Sequence, residues 1–330
     1  LDGDGRTDRV VWRPSEGQWY ASLASGEESG PVALGEDGDV PVVADYDGDG
    51  RDDLAVWRPV DGRWLIQTSS GAAVSDLALG EPGDIPVPAD YNGDGRAEPA
   101  VWRAYNGQWL IHQGEGAAAD PIVLGEAGDL PVVADYDGDG KADPAVWRPA
   151  DGLWTVRPSV ADAQLAEVRL GAEGDIPVAG DFDGDGKADF SVWRPHLGVW
   201  LVVSSGGEPA EPIAIGITGD VPVVGDYDGD KKDDLALWRG VDGQWLILLS
   251  SGERLTAGEP GTGIVFGVEG DVPANRPLWL DANGQPPGVT ETLLRERLRG
   301  RQAGLSTGTD PSATDPSATD QPAVDQPAAG

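Results

Sequence analysis

The chain has 330 residues and a formal net charge of −35 at pH 7, with 58 acidic residues against 23 basic ones and no cysteine. A field of that sign argues against DNA, RNA or an anionic membrane surface as a partner. The lack of cysteine excludes disulfides, iron–sulfur clusters and thiolate metal sites, and no apolar run is long enough to cross a bilayer as a helix, so membrane insertion is not expected.

In chain order, the first element is an acidic loop, DGDGRTD at 2–8, followed by a strand-like hairpin with tryptophans at 12 and 19. The loop returns in a nine-residue form, DYDGDGRDD at 45–53, and again at 90–98, 135–143, 181–189 and 226–234. Successive copies lie 45, 45, 46 and 45 residues apart. After each copy comes an apolar run such as LAVWRP at 54–59, a Pro-x-Asp-Gly type turn at 59–62, and a second run, WLIQT, at 64–68. With four residues in the turn, Arg58 faces Arg63 and Trp57 faces Trp64, leaving Val56 and Leu65 on the other face. Both faces are apolar, so the hairpin must lie between neighbours. The same tryptophan spacing holds at 102/109, 147/154, 193/200 and 238/245.

A third run follows (77–79, 122–124, 213–215), then a Gly-Asp-apolar-Pro sequence marking passage to the next unit at Asp39, Asp84, Asp129, Asp175, Asp220 and Asp271. A short run such as 42–44 then leads into the next loop. Four short strands in a repeat of about 45 residues predict an all-β fold, a β-propeller of four-stranded blades. No helical periodicity of useful length precedes residue 289.

Oxygen donors on alternate residues separated by glycines suit a hard cation such as Ca2+, which takes six to eight oxygens. In the second copy Asp45, Asp47 and Asp49 offer carboxylates, Arg51 offers its carbonyl with a side chain free to vary, and Asp53 closes the shell. Gly50 permits the sharp turn. An EF-hand would add a glutamate at position 12, where Val56 stands. The equivalent donors are Asp90, Asn92, Asp94, Arg96 and Glu98; Asp135, Asp137, Asp139, Lys141 and Asp143; Asp181, Asp183, Asp185, Lys187 and Asp189; and Asp226, Asp228, Asp230, Lys232 and Asp234. The first loop supplies Asp2, Asp4, Arg6 and Asp8. The expectation is structural Ca2+, up to one ion per repeat. The copies differ: Asn92 and Glu98 weaken the 90–98 site, and Lys231 replaces the turn glycine of the last loop, so the loops starting at 45, 135 and 181 rank best.

The stretch GDLPVVADYDGDGKADPAVWRP at 128–149 resembles the FG-GAP repeats of integrin α-subunit propellers and, more closely, the VCBS-type repeats of bacterial secreted proteins. The resemblance covers about residues 1–275. It implies a calcium-stabilised propeller, extracellular or at the cell surface, acting as a binding, adhesion or display part of a larger protein. It also implies seven blades in the intact protein, with six represented in this chain. The alternative is closure at six, by pairing of the strand after Asp271 with the first hairpin.

The chain is expected to divide into a propeller over 1–280, a linker and short helix over 281–302, and a disordered Asp/Pro/Ser/Thr/Ala-rich tail over 303–330. A degenerate hairpin is expected at 281–284. Twelve of the thirteen tryptophans fall in hairpins, where core packing outweighs a role as sugar platforms. The arginine after the first tryptophan of each hairpin recurs at 13, 58, 103, 148, 194 and 239. It is expected to pair with loop carboxylates or lie on a neighbouring ring, with a grip on an anionic ligand such as a uronic-acid polysaccharide as the alternative.

Catalysis is not expected. His112 and His196 are the only histidines and occupy unequal places in their repeats, and carboxylates outside the loops (Glu115, Glu167, Glu208) form no evident pair. Gly261 to Gly263 is too short for a phosphate cradle. The partner is left as a protein or glycan ligand, with a lectin-like propeller and a polysaccharide lyase or hydrolase as alternatives.

Overall fold

The computed structural model describes residues 1–71, 73–114, 120–160, 165, 167–255 and 264–280, all within one compact unit. The expected hairpin at 281–284, the linker and short helix over 281–302 and the tail at 303–330 lie outside the described residues, as do Glu115 and the glycines at 261 and 263.

Six antiparallel sheets form a propeller. Blade 2 shows the pattern: Val40–Pro41, Leu54–Arg58, Arg63–Gln67 and Ala73–Ala78 pair in chain order from the axis outward. The register pairs Trp57 with Trp64, Arg58 with Arg63 and Val56 with Leu65, as the turn length requires. The innermost strand begins earlier than the sequence suggests, at the Val-Pro pair taken to mark the crossing between units. Proline is tolerated there because this is an edge strand facing the axis. In blade 6 the outer place is shared by Arg254–Leu255 and Ile264–Val265, both paired with Gln244–Leu248.

The ring closes at six blades, the alternative in which the strand after Asp271 pairs with the first hairpin. Val272–Pro273 supplies the innermost strand of blade 1, pairing Val272 with Trp12 and Pro273 with Val11. The chain then enters the axis. Asn275 Nδ2 donates to the Val223 carbonyl at 3.2 Å and to the Tyr227 hydroxyl at 3.1 Å, and Arg276, Trp279 and Leu280 are buried. A cavity of about 230 Å³ remains between this segment and the inner strands of blades 3 to 6.

Blades bury both faces against each other, and the hairpin tryptophans fill the spaces. All thirteen tryptophans are at most 4 % exposed, which removes them as sugar platforms. Their indole N–H groups still need acceptors. In blades 1 to 3 both members of a pair donate to one carbonyl of the outer connection: Trp12 and Trp19 to Leu34, Trp57 and Trp64 to Leu79, Trp102 and Trp109 to Leu124.

At the hairpin end, each recurring arginine grips the aspartate of the Gly-Asp-apolar-Pro sequence. Arg58 meets Asp39 through Nε and Nη2 at 2.8 and 3.0 Å, and the same fork joins Arg13–Asp271, Arg103–Asp84, Arg148–Asp129, Arg194–Asp175 and Arg239–Asp220. These partners are not the loop carboxylates the sequence suggested, and the guanidinium groups are committed to internal pairs. The aspartate also accepts the N–H three residues upstream, as Asp39 does from Glu36 at 2.9 Å. The clamp fastens the incoming connection to its blade.

Arg194→Ala leaves the Asp175 carboxylate, 1 % exposed, without its cation. Because Arg194 itself is partly in water, the expected loss is about 2–3 kcal/mol, below the range for fully buried pairs. Urea unfolding measures it.

Candidate metal centre

Each acidic loop is folded by its own carboxylates. Asp45 Oδ1 accepts the Gly48 N–H at 2.6 Å and Oδ2 that of Gly50 at 2.8 Å. Asp47 and Asp49 accept from residues two further on, Asp49 and Arg51. Asp53 is drawn into the blade, its Oδ2 taking the Tyr46 N–H at 2.8 Å and its Oδ1 the Ser69 N–H at 2.6 Å. Tyr46 is itself buried and donates its hydroxyl to the Val42 carbonyl. Loop, inner strand and outer turn are thereby fixed together.

This folding gathers one oxygen each from Asp45, Asp47 and Asp53 within 4.8 Å of one another. The same three places meet in Asp135, Asp137 and Asp143 and in Asp181, Asp183 and Asp189. In the 90–98 loop the group is Asp90, Asp94 and Glu98, and in the last loop it is Asp226, Asp228 and Asp230. The loops ranked best share one geometry. Asp49 and Asp185 stand outside the three-oxygen groups, each accepting a serine hydroxyl, from Ser69 at 2.6 Å and Ser205 at 2.8 Å. Asn92 lies beside Glu98 and Asp94, its Nδ2 at 2.5 and 3.2 Å from them, so a neutral amide stands where the other loops hold a carboxylate. Asp2, Asp4 and Asp8 are not gathered into such a group among the described residues; Arg6 pairs with Asp4 at 2.9 Å.

The charge is poorly compensated at the root of the five nine-residue loops. Burial pushes the carboxyls of Asp143, Asp189 and Asp234 up to about 6, against the lowering effect of two backbone N–H donors, and neighbouring aspartates add to the rise. Asp53 and Glu98 are raised for the same first cause. Among the described residues no lysine or arginine forms an ion pair with any of these five. Clustered, partly desolvated carboxylates without a counter-cation fit a hard divalent ion. In the residues present, the side chains of Asp45, Asp47 and Asp53 and their counterparts would hold it.

The loops also touch one another. The N–H at position 8 donates to the carbonyl at position 1 of the preceding loop: Ala97 to Asp45, Ala142 to Asp90, Ala188 to Asp135 and Asp233 to Asp181, each at 2.7 Å, and Thr7 to Asp226 across the closure. Position 7 is arginine or lysine in all six copies, and its side chain lies over the position-4 glycine of the preceding loop. A Cβ on Gly48 would stand 2.9 Å from Arg96 Cγ, and one on Gly229 would stand 3.0 Å from Arg6 Cγ. The position-7 side chain is therefore not free to vary, which corrects the sequence reading. The recurrence of a cation there was the available signal. The loops form a belt around one rim, at the end of the blades opposite the Arg–Asp clamps.

His112 lies in blade 3 and His196 in the exposed hairpin turn of blade 5, and nothing brings them together.

The model of a family described as the FG-GAP-like repeat matches residues 1–56 and 45–101. No curated protein matches the chain. Among solved structures, a Bacteroides caccae protein of unknown function is similar at 14% identity and a TM-score of 0.52, over 75% of this chain and 92% of that one. A streptogramin B lyase is similar at 11% identity and 0.51, over 75% and 78%. An Agrocybe aegerita lectin that recognises non-reducing terminal N-acetylglucosamine is similar at 15% and 0.51, over 76% and 75%. These likenesses concern the fold alone.

Lys231 holds the place of the turn glycine at φ 68°, and its N–H still reaches Asp226 Oδ2 at 2.8 Å. A side chain there is strained, so Lys231→Gly is expected to stabilise the protein by about 0.5–1 kcal/mol after the entropy cost of glycine, read as a higher urea midpoint.

Proposed function

We propose that this propeller, whose residues 1–101 match the FG-GAP-like repeat, is a calcium-binding module for recognition, adhesion or display within a larger secreted or cell-surface protein. The observation that carries this is the fivefold recurrence of a three-oxygen carboxylate group on one rim. Bound Ca2+ would supply the positive charge that the loop roots lack, making metal binding part of folding. Extracellular calcium keeps modest-affinity oxygen sites filled, whereas cytosolic levels do not, which supports placing the module outside the cell.

The same repetition supports a non-catalytic reading. The carboxylates are committed to loop folding, the arginines to their clamps, and the histidines stand apart. A lectin-like reading gains nothing from the tryptophans, all of which are buried.

The test is thermal melting with calcium and with chelator across pH. In chelator, the stability tied to Asp143, Asp189 and Asp234 is present below the ordinary carboxyl value of about 3.9. It is lost as pH rises through about 6. The metal-free midpoint should therefore fall from pH 4.5 to pH 7. Calcium at a hundredfold excess over Kd should add about 2.7 kcal/mol per occupied site at pH 7. That gain should shrink as protons compete below about pH 6. Identical melts with calcium and chelator at pH 7 would defeat the proposal.

A further inference from the structure

The rim opposite the acidic belt is not uniform, and its irregularity is confined to three consecutive blades. At the first residue of the four-residue connection ending in the clamp aspartate, blades 2, 3 and 4 carry Glu36, Glu81 and Glu126. Each forms a second ion pair with the clamp arginine of its blade, at 3.0, 3.2 and 2.7 Å. At the same place blades 5, 6 and 1 carry Ala172, Ile217 and Val268. The third residue of the hairpin turn is Glu16, Asp61, Asn106, Asp151 or Asp242 in five blades, and Leu197 in blade 5. Leu197, Ile217 and Val268 are thus large and apolar at positions where most sister blades hold an acid or amide, and they are clustered.

These residues are in water: Leu197 is 62 % exposed, Ile217 56 %, Val241 70 % and Val268 50 %. Packing makes them neighbours along an arc. The turn bearing Leu197 abuts the connection bearing Ile217, where Ile215 N–H donates to the Gly198 carbonyl and Thr218 Oγ1 donates to the Pro195 carbonyl. The Arg239–Asp220 clamp joins that connection to the turn bearing Val241. That turn in turn abuts the connection bearing Val268, through the Phe266 N–H and the Gly243 carbonyl. On the other half of the rim, Val60 and Tyr105 are exposed too, but glutamates stand beside them, and the Tyr105 hydroxyl donates to Glu81.

We propose that the arc of Leu197, Ile217, Val241 and Val268 docks a basic amphipathic segment of a partner protein. The proposal deepens the recognition role argued above and rests on it. Apolar side chains replacing acids at repeat positions would seat an apolar face. Asp242 and Glu269 border the arc and are exposed, so the flanks of the segment are lysine or arginine. The same charge sets two copies of this chain against each other, which disfavours self-association through the arc.

The repeat itself supplies the test variant. Leu197→Asp, Ile217→Glu and Val268→Glu restore what sister blades carry, and the two new glutamates fall beside Arg239 and Arg13 as Glu36 does beside Arg58. The probe is a synthetic amphipathic helix of leucine and lysine, compared with a scrambled peptide of the same composition. The full chain is used in saturating calcium, with an unchanged melt confirming the variant's fold. The wild type should bind the amphipathic peptide about tenfold more tightly than the scrambled one, and the triple variant should lose that preference although it is more acidic. Equal binding of both peptides by the wild type, or a preference surviving in the variant, would overturn the proposal. So would a calcium-independent dimer abolished by the three substitutions, since the occupant would then be a second copy. None of these outcomes alters the calcium dependence of melting, so the docking surface and the metal role fail separately.

Discussion

A carboxylate buried at the root of each acidic loop sets the terms for the rest of the molecule. Asp53 and its counterparts leave water to accept one N–H from the loop and another from an outer turn, which joins the innermost strand to the outer part of the blade. The geometry is good, but the charge is not balanced. Two backbone donors do not offset the desolvation of an anion surrounded by other aspartates, and the raised carboxyls record the shortfall. The fold therefore carries a built-in demand for a cation at one rim, repeated around the ring and passed between blades by backbone hydrogen bonds and by the position-7 cations.

The other end of the blade solves a similar problem without an exchangeable ion. There each buried aspartate meets a forked guanidinium, so charge, geometry and hydrogen bonding close within the chain. The contrast separates the two rims. One is tied to the surrounding ion concentration; the other is self-sufficient and leaves its turn residues free to diverge, as Leu197, Ile217 and Val268 have. The axis carries its own plug, the segment after the closing strand, so recognition at the centre would require that segment to move.

Much of this was legible in the sequence because the repeat states each requirement several times. The seven-residue tryptophan spacing gave the hairpin register, and alternating aspartates gave the cup. What a single repeat could not show were contacts between repeats. The Arg58–Asp39 clamp spans 19 residues, and both members were visible, but nothing local joins them. The covering of Gly48 by Arg96 links successive loops, and it appears only once the ring is closed. In the sequence the blade count stays open between six and seven for the same reason: whether Val272 and Pro273 complete blade 1 depends on curvature summed over all six sheets, which no local pattern encodes.

The most direct test of the account is an ion count by native mass spectrometry, on chain stripped with chelator and then returned to calcium. The account requires up to five bound ions, one for each gathered carboxylate group, with the 90–98 loop the weakest because Asn92 is neutral where the others carry a carboxylate. A chain that takes up no calcium, and stays folded without it, would contradict the claim that the belt is a metal-binding rim.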